Sequence, residues 1–173
     1  RMYTATNDAT YQTAFNLGLD YIFQGQYPNG GWPQRYPSGN GYHRHITFND
    51  NAMVRLMEFV RQVATDEGYA CVDAARRTAA ADAFDRGITC ILQCQIEVDD
   101  QLTAWCAQHD EIDFSPRPAR SYELASLSGS ESVGIARLLM SIDDPSPEIV
   151  QAVEGAVAWF VQAKLTGIRV VEE

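Results

Sequence analysis

The stretch "FNLGLDYIFQ", Phe15 to Gln24, decides how the chain is read. Its apolar residues Phe15, Leu19, Ile22 and Phe23 fall three and four positions apart, the spacing of one buried helical face. The pattern returns as "FDRGITCILQ", Phe84 to Gln93, with Phe84, Ile88, Ile91 and Leu92 in the same places, and more loosely as "VEGAVAWFVQ", Val153 to Gln162. Each copy starts 69 residues after the one before. A period kept twice predicts a repeated structural unit. The first two copies also run into matching tails, "GGWPQ" and "TAWCAQ".

Between the copies lies a second class of helix. "NDNAMVRLMEFVRQVA" and "SESVGIARLLMSI" align Arg55 with Arg137 and Leu56 with Leu138. Both are entered from polar residues suited to N-capping, Asn49 or Asp50 in one and Ser128 or Ser130 in the other. The longest irregular segments follow the first helix of each pair, and long loops inside compact domains tend to carry function. The expected fold is all-α, an incomplete (α/α) toroid of repeated helix pairs with its long loops on one end and little β-structure. The best strand candidates are the C-terminal "TGIRVVEE" and a short hairpin arm between Ile96 and Leu102.

Composition bounds the function. With 173 residues and 46% hydrophobic content, residues 1–173 read as a single domain with a buried core. No apolar run approaches the ~18 residues that cross a bilayer, so no membrane partner is expected. The start "RMYTATNDAT" carries neither an initiator Met nor a signal-peptide pattern, so the chain reads as an excised or processed piece. A net charge of −10 argues against nucleic acid, because no basic stripe exists to displace counterions from phosphates. The same charge repels any polyanionic substrate unless a bound cation or a local Arg cluster reverses the sign at the site.

Cys71, Cys90, Cys94 and Cys106 are too few for a disulfide-built scaffold. Cys90, Cys94, Cys106 and His109 have a superficially zinc-like spacing, but Cys90 and Cys94 sit on an apolar helical pattern where small buried thiols are common. At i and i+4 those two are poorly placed to bridge each other, so any disulfide would use Cys71 or Cys106.

Three polar clusters fall at loop-to-helix junctions: Asn49, Asp50 and Asn51; His109, Asp110, Glu111 and Asp113; and Arg117, Arg120, Tyr122 and Glu123. In a toroid such junctions converge on one face, where Asp50, Asn51 and Asp110 would offer hard oxygen ligands to calcium, which takes 6 to 8 of them. Arg117 and Arg120 flank Pro118 in a stiff segment and present guanidinium forks suited to carboxylates. The bland alternatives are a helix cap for Asp50 and surface ion pairs with Glu111 or Glu123 for the arginines. Trp32, Tyr27, Tyr36, Tyr42 and Trp105 would occupy the same end as aromatic platforms for sugars, or simply as loop packing.

The segments "QYPNGGWPQRYP", "YHRHITFNDNAM", "WCAQHD" and "PARSYELASLSGSESVGIARLLM", in this order and over nearly the whole chain, resemble the pectate lyases of polysaccharide lyase family ten. That resemblance implies an (α/α) toroid that cleaves polygalacturonate by calcium-assisted β-elimination. By it Asp50, Asn51 and Asp110 are the expected metal residues, Asp50 also acting at the cleavage subsite. Arg120, Arg117, Trp32, Tyr42 and His109 are the expected substrate contacts. The implied cofactor is Ca2+ and the implied partners are polygalacturonate and oligogalacturonides, for a monomer that is secreted, periplasmic or extracellular. The proton-abstracting arginine of the family is expected beyond Glu173, so a non-catalytic pectin-binding fragment is the competing reading. A remoter one is a terpenoid-cyclase-like toroid, since Gln26, Gly30 and Trp32 satisfy Q-x3-G-x-W, but its acidic motif would have to be Asp99–Asp100 or Asp143–Asp144.

Overall fold

The structure, a computed structural model, describes residues 2–168 and 171. Helix α1 (Met2–Thr6) leads into α2 (Ala9–Gly25) and a long loop, then β1 (Ile46–Thr47), α3 (Ala52–Thr65) and α4 (Ala74–Cys94). A short hairpin of β2 (Glu97–Val98) and β3 (Gln101–Leu102) follows, then β4 (Gln108–His109), α5 (Gly129–Met140) and α6 (Pro147–Ala163).

The repeated decapeptides fall on α2, α4 and α6, which lie side by side, while α3 and α5 form a second row that packs against them. This alternation is the (α/α) arrangement expected from the sequence. The helix starts follow local chemistry. Asp8 caps α2 through Thr10 N–H (2.9 Å), and Asp73 caps α4 through Arg76 N–H (3.0 Å). Ser146, followed by Pro147 at the first helical position, begins α6. On α3 the buried stripe Met53, Val54, Met57, Val60 and Val63 faces the core, each large side chain there contributing about 1.5–3 kcal/mol.

Polar atoms reproduce the repeat. Gln26, at the end of α2, donates from Nε2 to Gly30 O (2.9 Å) and across to Ala83 O on α4 (2.8 Å). Gln95, at the end of α4, donates to Thr103 O (2.9 Å) and across to Ala152 O on α6 (2.8 Å). The indoles follow suit, Trp32 Nε1 bonding Ile22 O (2.9 Å) and Trp105 Nε1 bonding Ile91 O (2.8 Å). These contacts fasten each loop to the helix before it and each helix to its neighbour in the row.

The arm between Ile96 and Leu102 is a hairpin, turned by Asp99 and Asp100 at φ 51 and 61, a type I′ pattern suited to the twist of two short strands. Asp144, at φ 50, likewise belongs to the turn after α5. Both acidic pairs of the cyclase reading are therefore turn residues. The C-terminal strand candidate "TGIRVVEE" falls largely outside the described residues. The expected N-caps of the second helix class are corrected: neither Asn51, at the cap position of α3, nor Ser128, at that of α5, makes a side-chain cap bond. The Ser128 hydroxyl instead pairs with Glu131.

Candidate functional site

At the loop end of the molecule β1 and β4 pair antiparallel, with Ile46 opposite His109 and Thr47 opposite Gln108. Bridges extend the layer from Pro33 to Ile46 and from His109 to Pro116. Thr47 N–H bonds Trp32 O (3.0 Å), and the N–H groups of Phe48 and Asn49 both bond Ala107 O (2.9 and 3.0 Å). The loop between α2 and α3 is thereby stitched to the loop between α4 and α5 beneath the polar clusters.

Beyond one end of this ladder the chain enters α3 through a tight turn, Asn49–Asn51. Asp50 (φ 56) and Asn51 (φ 58) are both left-handed, a conformation costing a non-glycine residue roughly 1–2 kcal/mol. The strain is not repaid by capping, since neither side chain bonds an N–H of α3. The Asp50 carboxylate is exposed and accepts only from Asn49 Nδ2 (3.1 Å). The Asn51 Oδ1 is buried without a hydrogen-bond partner, against Gly134 of α5. A Cβ at Gly134 would lie 2.1 Å from that oxygen, so the turn and α5 meet closely only because residue 134 is glycine.

Beyond the other end lies Asp110, opposite His45. Its Oδ1 accepts from the N–H groups of Ile112 (2.9 Å) and Asp113 (3.3 Å), and its Oδ2 accepts from Arg117 Nε (2.8 Å). Burial alone would push this carboxyl up, but the two N–H groups and the guanidinium outweigh it and hold the pKa below the ordinary aspartate value. Glu111 accepts from Arg44 Nε and His45 Nδ1, both at 2.9 Å. Potential ligand atoms of His45, Asp110 and Glu111 lie within 4.8 Å of one another. Both carboxylates already hold a guanidinium, however, and calcium prefers an all-oxygen shell. Of the three expected metal residues, Asp50 is the one whose carboxylate is exposed and outside any ion pair, while the Asn51 oxygen is buried.

Two expected substrate contacts, Trp32 and His109, are corrected, and with them the aromatic platform Trp105. Trp32 is 3% exposed and packs in the core, so neither ring face is open to a sugar; Trp105 is fully buried as well. His109 is also fully buried, with Nε2 accepting from Cys106 N–H (2.9 Å) and Nδ1 donating to Phe114 O (2.7 Å). Burial pushes its pKa down to about 4, so it is a neutral structural bridge with no free nitrogen for substrate or metal. Arg120, Arg117 and Tyr42 do lie at the surface of this end. Arg120 forks onto Glu123 (Nε 2.8 Å) and stacks over the exposed Tyr122 ring at 4.9 Å, and the pair holds the Glu123 carboxyl down at about 2. Tyr42 stacks on His43, ring centroids 4.0 Å apart. Arg44 and His45 were missed from the sequence; the only signal was the basic "HRH" on one loop facing the acidic "DEID" on another.

The sequence profile of a family described as pectic acid lyase matches residues 1–173. The chain belongs to the pectic acid lyase family. Among solved structures it is similar to a family 10 polysaccharide lyase from Cellvibrio cellulosa, at 38% identity and TM-score 0.86. An aspartate-to-alanine mutant of that enzyme, in complex with trigalacturonic acid, matches with the same identity and TM-score. In both cases the match covers 92% of this chain and 50% of the other, so this pectic acid lyase chain spans about half the length of those structures. No match was found among curated proteins. Among the described residues, no helix is long and apolar enough to cross a membrane.

Proposed function

We propose that the chain is the part of a calcium-dependent pectate lyase that supplies the metal-side wall of the cleavage site, acting on polygalacturonate or its oligomers by β-elimination. The observation that carries this reading is the Asp50–Asn51 turn: two strained residues that cap nothing, one with an open carboxylate and the other with an orphaned amide oxygen. Strain and unsatisfied polar atoms collect at functional sites. The solved relative bound to trigalacturonic acid supports the substrate class.

Elimination removes the proton on C5, α to the uronate carboxylate, and a calcium ion on that carboxylate would stabilise the charge that develops. Asp50 and Asn51 would hold the metal, while Asp110, beyond the other end of the ladder and engaged by Arg117 and two N–H groups, would keep its structural bonds. Arg120, still paired with Glu123, and Tyr42 would flank the sugar chain. A polysaccharide substrate places the protein outside the cytoplasm, as a secreted or periplasmic monomer.

The pectin-binding alternative has its own support. Arg117 and Arg120 are each clamped by a carboxylate, and Glu123 pushes the already high pKa of Arg120 further up, so neither serves as the base. One experiment separates the two readings: incubate the protein with polygalacturonate, with and without chelator, and follow binding and the ultraviolet absorbance of unsaturated products together. Chelator-sensitive binding with product formation supports the lyase, and binding without product supports the binding fragment. Binding indifferent to chelator removes calcium from the proposal.

A further inference from the structure

Between α3 and α5 runs an open groove of about 340 Å³ that starts at the catalytic end and leads away from it. Asn51 and Gly134 lie at its head, Arg55 and Arg137 midway, and Glu58 and Ser141 at its foot. Because the two helices run side by side in the same direction, the groove follows them for the seven residues from Asn51 to Glu58, ~10 Å at the helical rise.

The two arginines are unlike most others in the chain. Arg44, Arg76, Arg117 and Arg120 each hold a carboxylate, Arg61 holds Ser141, Arg77 holds backbone carbonyls and Arg86 holds Gln26. Arg55 and Arg137 make no ion pair and no hydrogen bond among the described residues, although the protein has 23 acidic residues to offer them. They occupy equivalent positions of the two repeats, which the parallel packing of α3 and α5 brings to one groove. Val54 and Leu138 supply apolar floor between them.

We infer that this groove is a distal carboxylate-binding subsite, in which Arg55 and Arg137 take the uronate groups of a polygalacturonate chain that extends past the Asp50–Asn51 turn. Planar guanidinium forks suit carboxylates, and a groove with both apolar floor and cationic walls suits a sugar acid with C–H and charged faces. Glu58 is the one opposing charge in the lining, and it sits at the foot, where the chain would end. The inference rests on the pectate reading of the main site, and its test separates the two.

The test is titration of trigalacturonate and hexagalacturonate, in the presence of calcium, into the wild-type protein and the Arg55→Gln/Arg137→Gln double variant, with thermal melts of both. The expected result is that wild type binds the hexamer about tenfold more tightly than the trimer, two exposed ion pairs together amounting to about that factor. The double variant should bind the trimer as wild type does and lose the preference for the hexamer. The inference is overturned if the double variant keeps the preference, if trimer and hexamer affinities fall together, or if the only change is a lower melting temperature, which would make the arginines a packing surface. Should wild type bind the trimer but show no preference for the hexamer, the distal subsite falls and the pectate reading stands. If wild type binds neither oligomer, the pectate reading fails and the subsite with it.

Discussion

His109 should make the stability of this protein depend on pH in a window set by one buried ring. Folded, its pKa is pushed down to about 4 by burial, against an unfolded value near 6.5. The unfolded chain therefore binds the extra proton between those values, and stability falls as pH drops through the window. Two and a half units correspond to about 3 kcal/mol, with roughly 2 kcal/mol already lost by pH 5 and none of the loss present above pH 7. Urea unfolding at a series of pH values reads this directly, and NMR of the ring carbons should show the His109 resonance largely unchanged down to pH 5. That resonance is assigned by its loss in His109→Phe, which should itself cost about 2–6 kcal/mol at neutral pH by orphaning Cys106 N–H and Phe114 O. An assigned His109 signal with a midpoint near 6.5, or a stability that stays flat from pH 6.5 to 4.5, would refute the argument.

Gln95→Leu leaves the buried Thr103 O without its donor and cuts the tie to Ala152 O, which keeps its bond within α6, and should cost about 1–3 kcal/mol in chemical denaturation; the equivalent Gln26→Leu, in a more open setting, should cost less. Gly134→Ala pushes a methyl into Asn51 Oδ1 and should lower stability by ~1–3 kcal/mol while weakening calcium-dependent binding of oligogalacturonate. Unchanged melting and binding would mean that α5 does not hold the turn. Asp50→Asn keeps a residue tolerant of the left-handed conformation but removes the charge. It should leave the thermal melt nearly unchanged and abolish calcium-dependent binding measured by titration, whereas normal binding would remove Asp50 from the metal site.

The helical rows were legible because their signal is local: apolar residues at helical spacing, repeated every 69 positions, fix both the helices and the order in which they stack. The hairpin arm was legible for the same reason, since Asp99 and Asp100 tolerate the turn they make. The errors came from side chains whose role depends on where a loop folds. Trp32, in a Gly/Pro-rich segment, and Trp105 look like sugar platforms, yet each indole reaches back to the last turns of a helix and is sealed into the core. His109 looks like a ligand beside Asp110, but both its nitrogens are taken by backbone groups of Cys106 and Phe114 in a fully buried position. That His45 faces Asp110 follows from the register that pairs Ile46 with His109, 63 positions further along (109 − 46), and one sequence contains no measure of register.

The ion pairs at this end bear on the proposed metal. Arg44, Arg117 and Arg120 would make it strongly cationic if they stood free, but Glu111, Asp110 and Glu123 each neutralise one of them. Glu123 stays ionised far into acid, so lowering the pH over the ordinary range does not release Arg120. What remains uncompensated is the carboxylate of Asp50, together with that of Asp113, whose bonds with Ser115 lower its pKa. A polyuronate approaching the three pairs thus meets no net positive charge and must either displace an internal carboxylate or share a divalent cation with Asp50. Displacement returns one carboxylate to water for each one bound, an exchange with little net gain, whereas a shared cation adds attraction to both sides at once. If the proposed function holds, binding of trigalacturonate should fall much more steeply on chelation than on adding monovalent salt, and the reverse order would remove the cation from the proposal.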